Sequence, residues 1–196
     1  MAAPGDVRLD ARARLLDGLA SALAERPYAD VTVAEVVRRA RTSRRTFYEN
    51  FADKQDCLVA LLRDSHERTV AAIAAAVDPH APWPLQIRQA VEAWLRSSVA
   101  EPHVTLSWIR VVPSLGEGAA DLMRDTMDSF ADLILRLSDT PELAATGVRP
   151  PSRPVTTMLL GGLRELIATT VEDGDDVLGV VDVASDVAAR ILGPIG

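Results

Sequence analysis

The stretch TVAEVVRRARTSRRTFYENFADKQDCLVALL, residues 32–62, decides how the chain folds. It breaks into three helical pieces. Thr32 followed three residues on by Glu35 makes a capping box: the hydroxyl accepts a first-turn amide, and the carboxylate can reach back to the cap. Val33, Val36, Val37 and Ala40 then supply a buried face for a helix over 32–40. After a break at 41–43, Ser43 is a good N-cap for a second piece, RRTFYENF. Its Phe47 and Phe51 lie four apart and turn inward together. Asp53 caps a third piece, with Lys54 at its first position. Upstream, ARARLLDGLASALAERP sets Leu15, Leu16, Leu19 and Leu23 at helical spacing, and Pro27 ends that helix.

Two short helices joined by a three-to-four-residue turn, with a third packed beneath, form a helix-turn-helix. The reader here is 44–51, and such a helix enters the DNA major groove by its N-terminal end. Arg44 and Arg45 stand at that end, where an arginine donates two hydrogen bonds to guanine O6 and N7. Thr46 and the first-turn amides suit a phosphate. Tyr48 carries a ring to pack and a hydroxyl for a phosphate. Lys54 opposes the helix dipole at its position, and a phosphate there would offset the cost. Between residues 38 and 54 six basic side chains (Arg38, Arg39, Arg41, Arg44, Arg45, Lys54) face two acidic ones (Glu49, Asp53), a local +4 on a chain of net charge −7. That is a footprint for a polyanion at one end of an acidic protein. A solvated helix face is the plain alternative.

These residues together resemble the DNA-binding segment of the TetR family of transcriptional regulators. The resemblance covers roughly residues 9–62. It rests on the TVAEV entry, the alanine before the turn, the serine cap, the TFYENF reader and the DK start of the following helix. It implies an all-α fold: an N-terminal three-helix helix-turn-helix DNA-binding domain at 1–56, then a helical ligand-binding and dimerisation domain at 57–196. It further implies phosphate contacts from Thr32, Thr46, Tyr48 and Lys54, and base contacts from Arg44, Arg45, Glu49 and Asn50. The chain departs from the family in its turn, where Arg41 replaces the usual glycine. A left-handed residue there costs about 1 kcal/mol unless it is glycine, so either the turn differs or Arg41 accepts strain.

The rest of the chain reads as helices at 53–77, 85–100, 103–112, 118–139, 155–173 and 177–192. The first is long and suits a connector. A proline-dense break lies at 78–84, and a long mobile loop with four prolines is expected at 140–154. VLGVVDV is rich in β-branched residues, but a lone strand has no partner in a helical chain. No catalytic signature, metal-ligand spacing or phosphate loop is present, so neither an enzyme nor a cofactor is expected. A single cysteine, no signal-peptide core and no bilayer-length apolar run point to a cytoplasmic protein without membrane contact.

A helical body can take a ligand between its helices. Trp94, Trp108, Met123 and Met127 are candidate apolar contacts, with His103 and Arg164 as candidate polar ones. For any one of them the plainer reading is core for the apolar residues, and a surface or salt-bridged position for the polar ones. Met158, Leu159, Leu163 and Ile167 on one late helix, and Val180, Val183, Val187 and Ile191 on the next, form apolar stripes. The resemblance assigns these to a four-helix homodimer interface; burial within one subunit is the alternative. The expected function is a DNA-binding regulator, a repressor released from a palindromic operator by a small apolar ligand. The N-terminal arm and first three helices would hold the operator. Two rivals stay open: a DNA-binding dimer with no small-molecule effector, and a helical enzyme or carrier.

Overall fold

The computed structural model describes residues 4–145 and 147–193. Residues 1–3, 146 and 194–196 lie outside the described residues, and with them the tip of the expected N-terminal arm. Among the described residues there is no strand, and no helix is long and apolar enough to cross a membrane. The chain divides into two compact units. One runs to Ser65 and takes in His103–Ala120; the other holds His66–Pro102 and the chain from Asp121 onward.

The first unit opens with α1, Pro4–Leu23. Leu15 and Leu19 are fully buried, Leu16 and Leu23 nearly so. The helix α2, Val33–Arg39, packs against α1. Their crossing is close at Gly18, where a Cβ would stand 2.8 Å from the Val36 carbonyl oxygen. The third helix, α3, is Arg44–Asn50. Its Phe47 is fully buried and stacks obliquely on Phe51, ring centroids 5.6 Å apart. Next comes α4, Lys54–Ala76, a single helix that belongs to the first unit through Ser65 and to the second from His66. Asp53 caps it by accepting from the Asp56 amide at 2.8 Å, and Asp56 accepts in return from the Ala52 amide at 3.0 Å. Further along the chain, the expected 103–112 helix is not uniform. It is α6, Pro102–Leu106, followed by a π-helical turn at Ser107–Val111 and a 3₁₀ turn at Val112–Ser114. Gln55 ties α4 to this segment by donating to the Leu115 carbonyl at 3.0 Å.

The second unit holds α5 (Trp83–Ala100), most of α7 (Glu117–Ser138), α8 (Pro141–Ala145), α9 (Arg153–Asp173) and α10 (Val181–Leu192). The segment VLGVVDV is helical, a 3₁₀ turn at Val177–Val180 leading into α10. The expected long loop at 140–154 is broken by α8, and it is pinned by Leu143 and Val148, both buried. Two apolar clusters form the core. Val91 and Leu95 of α5 pack with Leu159, Leu163 and Ile167 of α9 and with α10. Ile73, Val77, Phe130, Leu133 and Leu160 make the other.

Candidate nucleic-acid interface and ligand cavity

Local sequence builds the reading head cap by cap. The Thr32 hydroxyl accepts from the Glu35 amide at 3.3 Å and Ser43 accepts from the Thr46 amide at 3.0 Å, so both short helices start where the sequence says. The turn between them keeps the glycine geometry without a glycine. Arg41 sits at φ 50°, the only non-glycine residue at positive φ among those described. The Thr42 amide reaches the Val37 carbonyl at 3.0 Å and the Arg41 amide the Arg38 carbonyl at 3.3 Å, which closes a Schellman motif. The turn is therefore undistorted, and Arg41 carries the strain.

Arg44, Arg45 and Tyr48 are exposed on α3, with Tyr48 at 59%. Packing of Phe47 and Phe51 on the inner face leaves these side chains outside. Arg45 is braced along the helix by Glu49, Nε to Oε1 2.9 Å. Asn50 donates to the Thr46 carbonyl at 2.8 Å, and the Thr46 hydroxyl lies 2.9 Å from that of Ser43. Thr32 is exposed at the start of α2.

Not every cation of the cluster is available to a partner. Arg39 forks onto Glu25 and Glu35, the latter at 3.1 Å, and onto the Ser21 hydroxyl at 2.8 Å. It joins α1 to α2, and its guanidinium holds the Glu25 carboxyl below its usual range. The Glu35 carboxylate, instead of returning to its cap, is buried against Arg39 and Arg26. Lys54 donates to the carbonyls of Val31 and Tyr28, at 2.7 and 2.8 Å, and its ammonium stands 4.2 Å from the centre of the Tyr28 ring. Burial lowers the Lys54 pKa and pushes Tyr28 up to about 12. Apart from the i,i+4 pair Glu35–Arg39, sequence spacing carried no sign of these ties, because they join residues 9 to 26 positions apart.

In the second unit two apolar chambers abut. The inner one, about 80 Å³, is lined by Trp94, Phe130, Leu160 and Leu163 among others. The outer one, about 90 Å³, is bounded by Trp83, Val148 and Arg149. Trp94 stacks on Phe130 with centroids 4.8 Å apart, and His66 meets Phe130 edge-on at 4.6 Å. Of the sequence candidates, Trp94 lines the inner chamber and Met127 packs on the cluster beside it. Met123 accepts from Arg164 at 3.3 Å. His103, exposed, and Trp108, in the π-helical turn, belong to the first unit. Trp83, Ile134 and Arg149 were missed; they come from three elements with no shared sequence signal. Among the described residues no three His, Cys, Asp or Glu side chains come together in a way that could hold a metal ion.

Residues 15–61 match the sequence profile of the bacterial regulatory proteins of the tetR family. The match spans the capped helices, the turn and the reader. Over that stretch the chain is similar to the tetR-family regulators. Solved structures agree over nearly the whole length. FadR, a fatty acid degradation regulator from Bacillus halodurans, superposes with a TM-score of 0.78 at 16% identity, covering 93% of this chain and 98% of that one. A transcriptional regulator FadR from Bacillus subtilis, in complex with stearoyl-CoA, gives 0.78 at 11% identity with the same coverage. A tetR-family regulator from Streptomyces coelicolor gives 0.76 at 14%, covering 97% of this chain and 82% of its own. At these identities the likeness is one of fold. Among curated proteins none matches significantly.

The eight residues expected at a TetR-type dimer interface divide by face. Met158, Val183 and Val187 are exposed, at 69%, 55% and 49%. Leu159, Leu163 and Ile167 are instead buried in the chain's own core, and Val180 and Ile191 pack partly against it. A stripe of period 3.6 wide enough to hold both sets has two sides, and only the outer side is left for a partner. Gly161 and Gly162 open the same outer side of α9, with nothing within 4 Å of a Cβ at either.

Proposed function

We propose that the protein is a dimeric, ligand-responsive transcriptional regulator acting in the cytoplasm as a repressor. The carrying observation is the reader helix: Arg44 and Arg45 exposed at its N-terminal end, held by a buried Phe47 and a Ser43 cap. Arg44 and Arg45 face bases, with Asn50 and Glu49 further along α3. Thr32, Thr46 and Tyr48 face phosphates. Lys54 offers a phosphate the N–H left after its two carbonyl bonds. Met158, Val183 and Val187 meet their mates in a second copy, which places two readers on a two-fold operator.

The apolar chambers support a small-molecule effector, and so does the stearoyl-CoA held by the similar Bacillus subtilis regulator. Such a ligand releases the operator only if it favours the conformation whose readers no longer fit. The helix α4, shared by both units, is the element to carry that difference. A mobility shift with the DNA upstream of the protein's own gene tests the reading. A retarded band at low salt, lost in Arg44→Ala, is expected. An unshifted probe with a demonstrably dimeric protein overturns it.

A further inference from the structure

We propose that the second-unit cavity takes an apolar chain ending in an anionic head, with the head held by Arg149. The proposal deepens the ligand-responsive reading above and rests on it. The inner chamber is walled entirely by apolar side chains, so nothing there can satisfy a polar group. The two chambers meet along Ile87, Ala90, Ile134, Leu137 and Leu192, so a chain-like occupant laid across these side chains reaches both. Three polar residues line the outer chamber: Gln86, Ser138 and Arg149. Gln86 is buried and its amide is spent on the carbonyls of Pro79 and Ala81, at 3.1 and 2.8 Å. The Ser138 hydroxyl is spent on the Ile134 carbonyl at 2.7 Å.

Arg149 differs. It is exposed, and no carboxylate among the described side chains pairs with it. By contrast, arginines 68, 88, 96, 124 and 153 of the same unit are each taken up by an acidic partner. Leu143 and Val148, both buried, fix the segment that presents it. A chain of net charge −7 repels an anion in general, so a lone guanidinium at the edge of an apolar cavity selects both the sign and the position of a head group. A carboxylate and a phosphate-bearing thioester carrier share that chemistry.

The test uses the full-length protein and three probes of one chain length: decanoate, decanoyl-CoA and decanol, titrated by calorimetry. At least one anion is expected to bind about tenfold or more tightly than decanol, the weight of one charge-assisted hydrogen bond. Whichever anion binds better names the source of the head. Arg149→Ala, an exposed substitution, should remove the preference, and Ala90→Phe, which fills the shared wall, should weaken all three. Decanol binding as tightly as both anions, or an anion preference unchanged in Arg149→Ala, overturns the proposal while leaving an apolar effector standing. If no probe binds to a protein that still shifts DNA, the proposal fails together with the ligand-responsive reading, and the DNA-binding reading survives.

Discussion

At the scale of single residues, Arg41 and Lys54 show how the reading head is tuned. Arg41 occupies a left-handed position that L side chains adopt only with strain. Arg41→Gly is therefore expected to raise the unfolding free energy by about 1 kcal/mol in urea denaturation; no gain would mean the arginine recovers the cost through its own contacts. That a glycine position held arginine was legible in the sequence; whether the turn would give way was not, since that depends on the two hydrogen bonds that close it. Lys54 was legible only in part. Its place at a helix start suggested a phosphate contact, but its bonds to Tyr28 and Val31 lie across a loop that periodicity does not describe. Lys54→Ala should lower the melting temperature, because two carbonyls lose a charged donor. It should also weaken DNA binding across sequences and flatten the salt slope by up to about 1. A sequence-selective loss would contradict its role.

At the scale of elements, the helix starts at Thr32, Ser43 and Asp53 were readable because a cap is a local chemical event. The π-helical turn at Ser107–Val111 was not, because packing and not propensity sets it; the short helix inside 140–154 was hidden by its surrounding prolines, although Thr140 caps it by accepting from the Leu143 amide at 3.2 Å. The long α4 carries His66, whose imidazole burial pushes down to about 4 from an ordinary 6.5. Between those values the unfolded chain binds a proton that the folded chain does not. Stability is thus present above pH 6.5 and falls as the pH drops toward 4. Urea midpoints measured from pH 7 to pH 5 should decline more steeply in the native sequence than in His66→Gln; equal slopes would remove His66 as the cause.

At the scale of the whole molecule, the sequence marked the stripes on α9 and α10 but not their two sides. Leu163 at 8% exposure and Val187 at 49% are both aliphatic, and only the fold separates them. Met158→Glu and Val183→Asp, both on the exposed side, should shift the protein from dimer to monomer in sedimentation without lowering helix content, since neither side chain is buried within its own chain. Substitution at Leu163 should instead cost ~2–5 kcal/mol of stability if cut to alanine. A dimer unaffected by both exposed changes would place the interface elsewhere. The account as a whole holds that two readers, each led by Arg44 and Arg45, meet one duplex through a two-fold dimer. Its most direct test is selection of DNA by the full-length protein from a random duplex pool. The expected product is an inverted repeat whose half-sites lie about 34–36 Å apart, or a multiple of that, along one face of the duplex. Selection of a single unpaired site, or of no common sequence at all, would contradict it.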